Sequence, residues 1–283
     1  MAIHSELDKK VTFITSSIGT KWESYSQSLI KVNFPECKRI VVNGSQNWDP
    51  LYFVSYAKKL DTDYLVLVDE DCFLFDRRQF IELIQWMESH VNCGVLATPD
   101  GGTYHRDYNP IACNTFFAIL RTNSLRMVTR DNTWRELSYS SIGNYATNEH
   151  LGSLDLERIS YHKSEPYYPV FWAFLNNKFT IRYIIPILNM DLLASDIYVN
   201  GAQTPMLTHM WWLRSWSNKE IEPYLKVSNF ERYDAFEKIY LKKVFSSRSN
   251  SMVLMGQNLI RNTKKKIRFM LRLLRRAANF KNY

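Results

Sequence analysis

Three consecutive acids, Asp69-Glu70-Asp71, end the apolar run YLVLV (64–68). Carboxylates crowded at one strand terminus repel one another unless a cation shares them. Side chains alternate along a strand, so Asp69 and Asp71 point one way and Glu70 the other. Two carboxylates on one side make a hard oxygen site for Mg²⁺ or Mn²⁺, with positions left open for water and phosphate oxygens. The same triplet also fits a solvated strand-to-helix turn whose acids cap the next helix. Far downstream, THMWWLRSW (208–216) offers Arg214 for phosphate oxygens. It also offers three flat rings, Trp211, Trp212 and Trp216, which suit sugar faces and equally fill cores. Asp100-Gly101-Gly102 reads as a turn between strands, able to meet sugar hydroxyls and just as compatible with a plain surface turn.

The elements that must position these residues follow from periodicity. VTFITSS (11–17) is β-branched and apolar, a buried first strand. Residues 21–33 carry Trp22, Tyr25, Leu29 and Val32 at helical spacing. RIVVNGS (39–45) is a second strand stopped by Asn43-Gly44. Residues 49–60 fit a helix opened by Asp49 and Pro50. YLVLVDEDCFLFD (64–76) reads as a strand ending in carboxylates, followed by a helix at 77–90 and a strand at 93–98. In the second half, 114–121 and 178–184 read as strands and 165–178, 229–245 and 262–278 as helices. Strand–helix alternation predicts an α/β fold, a mostly parallel sheet with helices on both faces. Ligands in such sheets bind beyond the carboxyl ends of the strands. Those ends, Thr15–Ser17, Asn43–Ser45 and Asp69–Asp71, should therefore lie side by side.

The segment YAKKLDTDYLVLVDEDCFLFD (56–76) resembles the central block of GT-A glycosyltransferases, above all the large family 2-like group. There a helix with an alanine (here Ala57) precedes an apolar strand, the DxD triplet (Asp69, Asp71) and a further acid (Asp76). VVNGS (41–45) is similar to that group's VVDDGS, with Asn43 where an acid contacts the base. VTFITSS matches the first strand, whose end, here Thr15 and Ser16, touches the nucleoside. EPYYPVFWAFLNNKFTIRYIIP (165–186) is similar to the group's acid-led helix, loop, strand and proline. Pro166 stands where the group carries its catalytic Asp, and Glu165 holds the first acidic position. Asn114 opens NTFFAILR, which looks like the strand beside the donor sugar.

The resemblance implies a GT-A (Rossmann-like) domain with Thr15, Ser16, Asn43, Asp69 and Asn114 at the donor. It implies a metal shell of Asp69, Asp71 and the late His209. Glu165 would be the general base of an inverting path, with Glu149, Asp155 and Glu157 as other nearby acids. The reaction implied is transfer from a nucleotide diphosphate sugar, a UDP-sugar being favoured, to a hydroxyl of a glycan or lipid-linked glycan. Mn²⁺ or Mg²⁺ would be the cofactor, and polysaccharide biosynthesis the setting.

Charge sharpens this. Of the 36 basic residues, nine lie in 261–283 with no acid among them, leaving 27 against 28 acids in the rest. A neutral body argues against a nucleic-acid-binding face. In the tail, Ile267, Met270, Leu271 and Leu274 share a helical face ringed by cations, the pattern of a helix lying on an anionic membrane. No signal-peptide core or membrane-length apolar run is evident, and none of the four cysteines form a CxxC pair. The expected organisation is a transferase domain at 1–245, its donor half 1–121 and acceptor half 122–245, with a basic membrane-associating tail at 246–283. The expected location is cytoplasmic, on the inner face of a membrane. Two other classes fit parts of the chain: a sugar-phosphate nucleotidyltransferase, and a non-catalytic membrane-associated binding module.

Overall fold

The computed structural model describes residues 7–44, 49–103, 106–142, 160–189, 193–211 and 213. All fall in one compact unit, residues 1–225. After a helical turn, α1 (Leu7–Lys10), the chain forms β1 (Val11–Ser17), α2 (Lys21–Asn33), β2 (Lys38–Asn43), α3 (Tyr52–Ala57) and β3 (Tyr64–Val68). Next come β4 (Cys72–Leu74), α4 (Arg77–Ser89), β5 (Cys93–Pro99) and the short pair β6 (Gly101–Thr103) and β7 (Arg106–Asp107). Then follow β8 (Cys113–Arg121), α5 (Thr122–Val128), two 3₁₀ turns at Thr133–Glu136 and Tyr139–Ile142, α6 (Tyr168–Asn176) and β9 (Thr180–Tyr183). The last described strands are β10 (Ile187–Asn189), β11 (Ala194–Ile197) and β12 (Leu207–Met210).

The main sheet has six strands in the order β2-β1-β3-β8-β5-β9. Five share one direction; β8 alone is antiparallel to both neighbours. The mostly parallel α/β sheet expected from the alternation is therefore present. Period-two alternation splits the core between its faces. Tyr64, Val66 and Val68 pack toward α2 and α4, where the rings of Phe13, Phe34 and Phe80 meet at centroid distances of 4.9–5.5 Å. Leu65 and Leu67 pack on the other face toward α3, α5 and α6. Each fully buried ring or aliphatic chain contributes about 1.5–3 kcal/mol relative to exposure, which pins the strand register.

Register decides what meets at the sheet's carboxyl edge. Ser17 pairs with Asn43, and Ile14 with Leu67, so the ends of β2, β1 and β3 are neighbours. Ser45 lies outside the described residues. The run 64–76 differs from the single strand expected. It breaks after Val68 into a turn, with Cys72 N donating to Asp69 O at 3.1 Å, and resumes as β4 in a separate antiparallel sheet, β10-β11-β12-β4. The turn lets three carboxylates leave an otherwise fully buried strand. α3 is shorter than the expected 49–60: Asp49 Oδ1 accepts from Leu51 N at 2.9 Å, holding a turn before the helix. α4 begins on Asp76, whose carboxylate accepts from Gln79 N at 3.1 Å, an ordinary N-cap. No helix among the described residues is long and apolar enough to cross a membrane. The expected helices at 229–245 and 262–278, and with them the basic tail, lie outside the described residues.

Candidate functional site

Consecutive acids at the end of β3 have different fates. Glu70 is fully buried. Its Oε2 accepts from Ser17 Oγ and Thr20 Oγ1, each at 2.7 Å, and from Thr20 N at 3.3 Å, while Oε1 accepts from Ile18 N at 3.3 Å. Such charge-assisted bonds offset the cost of burying a carboxylate. They clamp the loop between β1 and α2, where Gly19 adopts the left-handed φ of 81° that favours glycine.

Asp71 is also buried but faces elsewhere. β12 pairs antiparallel with β4, setting His209 opposite Cys72, and Met210 N donates to Asp71 O at 3.0 Å. This pairing brings His209 Nε2 to 3.5 Å from Asp71 Oδ1. The His209 ring stacks on Phe116 at 4.1 Å and meets Trp211 edge-on at 4.5 Å. Its Nδ1 is buried with no hydrogen-bond partner among the described residues. One donor atom each from Asp71, Cys72 and His209 lies within 4.8 Å of the others.

This set can be tested against a divalent cation. Cys72 Sγ is fully buried and lies 3.2 Å from Phe116 O, the geometry of a thiol donating to a carbonyl. The better-suited ligands are then a carboxylate and an imidazole, a pair that fits Mn²⁺ better than Mg²⁺. Asp69 is not in that cluster. It sits half-buried just after β3, its N–H donating to Phe116 O at 3.0 Å. Phe116 thus holds the acidic turn through its carbonyl and the imidazole through its ring. Nothing local in the sequence marks it, because both contacts come from distant elements.

A second constellation lies at the end of β5. Asp100 is 1% exposed and is not a plain surface turn. Its carboxylate accepts from Arg106 Nε, from Arg106 Nη2 at 3.0 Å and from Asn114 Nδ2 at 2.5 Å. It also accepts from Tyr168 Oη at 2.6 Å and Tyr167 Oη at 3.2 Å. Gly101 makes this fold possible: a Cβ there would lie 1.6 Å from Tyr108 O. Arg106 Nη2 reaches on to Glu165 Oε1 at 2.6 Å. Burial by itself would depress the guanidinium, but Asp100, and after it Tyr167 and Glu165, hold it above its ordinary range. Burial, then the Asp100 carboxylate, pushes both phenols well up, so they stay protonated donors. Tyr167 also feels Asp69, which sets it within electrostatic reach of both acidic regions.

The remaining sequence candidates are placed as follows. Thr15 is buried with Oγ1 accepting from Gln27 Nε2 at 2.8 Å, toward α2. Ser16 Oγ is buried without a partner among the described residues, and a Cβ at Gly44 would lie 2.9 Å from it. Asn43 is exposed beside Ser17. Asn114 spends its amide on Asp100 and its carbonyl on Phe116 N at 2.9 Å. Glu165 is 28% exposed at its side chain and borders a cleft of about 660 Å³. Arg214, Glu149, Asp155 and Glu157 lie outside the described residues. Arg106, Tyr167 and Tyr168 were not legible as site residues, although the tyrosines directly follow the Glu165-Pro166 pair.

A scan against protein-family models finds no match, and a search of curated proteins finds none. Solved structures are similar over part of the chain. A197 from STIV is 14% identical with a TM-score of 0.32, over 43% of this chain and 69% of that one. The mannosyltransferase PcManGT from Pyrobaculum calidifontis, in complex with GDP-Man and Mn²⁺, is 9% identical with a TM-score of 0.33, over 42% and 46%. A glycosyltransferase involved in glycosylation of the major capsid of PBCV-1 is 11% identical with a TM-score of 0.30, over 47% and 73%. Over less than half its length, then, this chain is similar to structures that include two glycosyltransferases.

Proposed function

We propose that this protein is a metal-dependent glycosyltransferase that uses a nucleotide diphosphate sugar. The observation that carries the reading is the meeting of Asp71 and His209, from the β3–β4 turn and β12, at the carboxyl edge of a mostly parallel sheet. Asp71 and His209 would hold Mn²⁺ or Mg²⁺, with Asp69 beside them on the donor side. A divalent metal bound there supplies Lewis-acid stabilisation of the departing diphosphate. Ser16 at the end of β1 is buried behind Gly44, while Asn43, exposed at the end of β2, is open to a nucleoside laid along that edge. Glu70 keeps the 18–20 loop in one shape beside it. On the far side, Arg106 engages Glu165 Oε1, and no described residue donates to Oε2. In an inverting path Oε2 accepts the proton of the acceptor hydroxyl. The acceptor is a glycan or lipid-linked glycan. The basic stretch 261–283 attaches the protein to the inner face of an anionic membrane, by its sequence pattern alone.

The test is nucleoside diphosphate release from a panel of sugar nucleotides, UDP-sugars first, with Mn²⁺ or Mg²⁺. Release with at least one donor, abolished by chelator and restored by metal, supports the reading. No release with any donor, or release untouched by chelator, defeats it.

A further inference from the structure

The cleft beside Glu165 has features that the donor reaction does not use. Its volume of about 660 Å³ lies within the ordinary range for small-molecule sites. One wall is the segment 160–165, fastened by the β6–β7 hairpin and the residues just after it. Asp107 O accepts from Ser160 N at 2.7 Å, the Asp107 carboxylate pairs with Lys163, Asn109 Nδ2 donates to Tyr161 O at 3.0 Å, and Arg106 grips Glu165. Asn109 is itself fully buried, so this wall is anchored in the core. The opposite wall is the pair of 3₁₀ turns, packed on α6 through Trp134 and Ile142. The rings of Tyr139 and Tyr161, both bordering the cleft, stack on each other at 5.1 Å and 25° where the two walls meet, leaving their edges and outer faces to the open space. Trp172 lines the floor, and Ser138, Ser140 and Ser164 add hydroxyls.

Flat rings beside hydroxyls and one carboxylate match the chemistry of a sugar, whose C–H face packs on aromatics while its edge hydrogen-bonds. A phosphate or an anionic lipid headgroup would call for clustered cations. Among the described lining residues the only constant cation is Arg135, which sits over the Trp134 ring at 4.7 Å. We propose that this cleft binds a sugar unit of the acceptor, making the acceptor a glycan gripped by its sugar faces. The proposal rests on the glycosyltransferase reading for the word acceptor; the binding of a sugar does not. A sugar seated there would have a hydroxyl next to Glu165 Oε2.

The experiment uses the full chain and methyl glycosides of glucose, galactose, mannose and N-acetylglucosamine at millimolar concentration, read by saturation-transfer NMR. At least one glycoside should receive saturation from the wild-type protein. Its affinity should fall about tenfold or more, equivalent to about 1.4 kcal/mol, in Tyr161→Ala and in Ser164→Trp. Ser164 is exposed, so Ser164→Trp fills the cleft without removing a packed ring and decides the matter if Tyr161→Ala fails to fold. Saturation of none of the glycosides, or undiminished binding in folded Ser164→Trp, overturns the proposal. Glycoside binding without nucleoside diphosphate release from any donor would uphold the sugar cleft and sink the transferase reading. Release without glycoside binding would do the reverse.

Discussion

The acidic turn after β3 and the Asp100 hub after β5 are both buried carboxylate sites at the end of one sheet, yet they are built on opposite principles. Asp100 is saturated: a guanidinium, an amide and two phenols converge on it, so its charge is used in holding structure. Asp71 instead meets an imidazole at 3.5 Å, in a cluster whose donor atoms lie within 4.8 Å. Glu70, one residue earlier, follows the Asp100 principle. The lesson is that carboxylate count does not identify a metal site; the nature of what faces each carboxylate does.

Substitution should separate the two regions. Asp100→Ala strands a buried guanidinium and two phenols, so the fold should lose about 3–5 kcal/mol in urea unfolding. A cost under about 1 kcal/mol would show that the hub is not the structural one. Glu70→Gln sets an amide N–H₂ against a donor of the 18–20 loop whichever way it is turned. A smaller loss, about 1.5–3 kcal/mol, should follow, with faster hydrogen exchange in residues 18–20. Unchanged exchange there would remove Glu70 from its clamping role.

The mildest probe is alkaline pH. Tyr168 titrates above its ordinary value of 10.0 because of burial and then Asp100. Above pH 10 the unfolded chain therefore loses this proton while the folded chain keeps it. Stability then falls as pH rises, by up to about 1.4 kcal/mol per pH unit for one phenol. Tyr168→Phe should have a shallower decline than the wild type in that window. Identical slopes would mean the phenol is not held by the hub.

Much of this arrangement was legible in the sequence. β1, α2 and α4 stand close to where their periodicity put them, because each buries apolar residues in the core; β2, an edge strand with no fully buried residue, was marked by its β-branched run and the Asn43-Gly44 stop. The expected alternation of Asp69, Glu70 and Asp71 presumed a strand; the three lie instead in a turn, which sends Glu70 to the 17–20 loop and Asp71 to His209, with Asp69 outside that cluster. Two features were not legible. The break of 64–76 into β3 and β4 depends on Phe116 O and on pairing with β12, both far off in sequence. The Asp100 turn looks like an ordinary PDGG turn until Arg106, Asn114 and the Tyr167-Tyr168 pair arrive on it from three places in the chain. The same distance effect explains why Glu165 was visible as an acid but its Arg106 partner was not.

The central claim is that Asp71 and His209 hold a divalent metal. The most direct measurement is an electron paramagnetic resonance titration of free Mn²⁺ against the full-length protein, with Asp71→Asn and His209→Ala beside it, each checked for native circular dichroism. The account predicts one bound Mn²⁺ per chain in the wild type and affinity at least about tenfold weaker in each variant. Wild-type protein that leaves the free Mn²⁺ signal unchanged at millimolar metal, or folded variants that bind as well as the wild type, would contradict it.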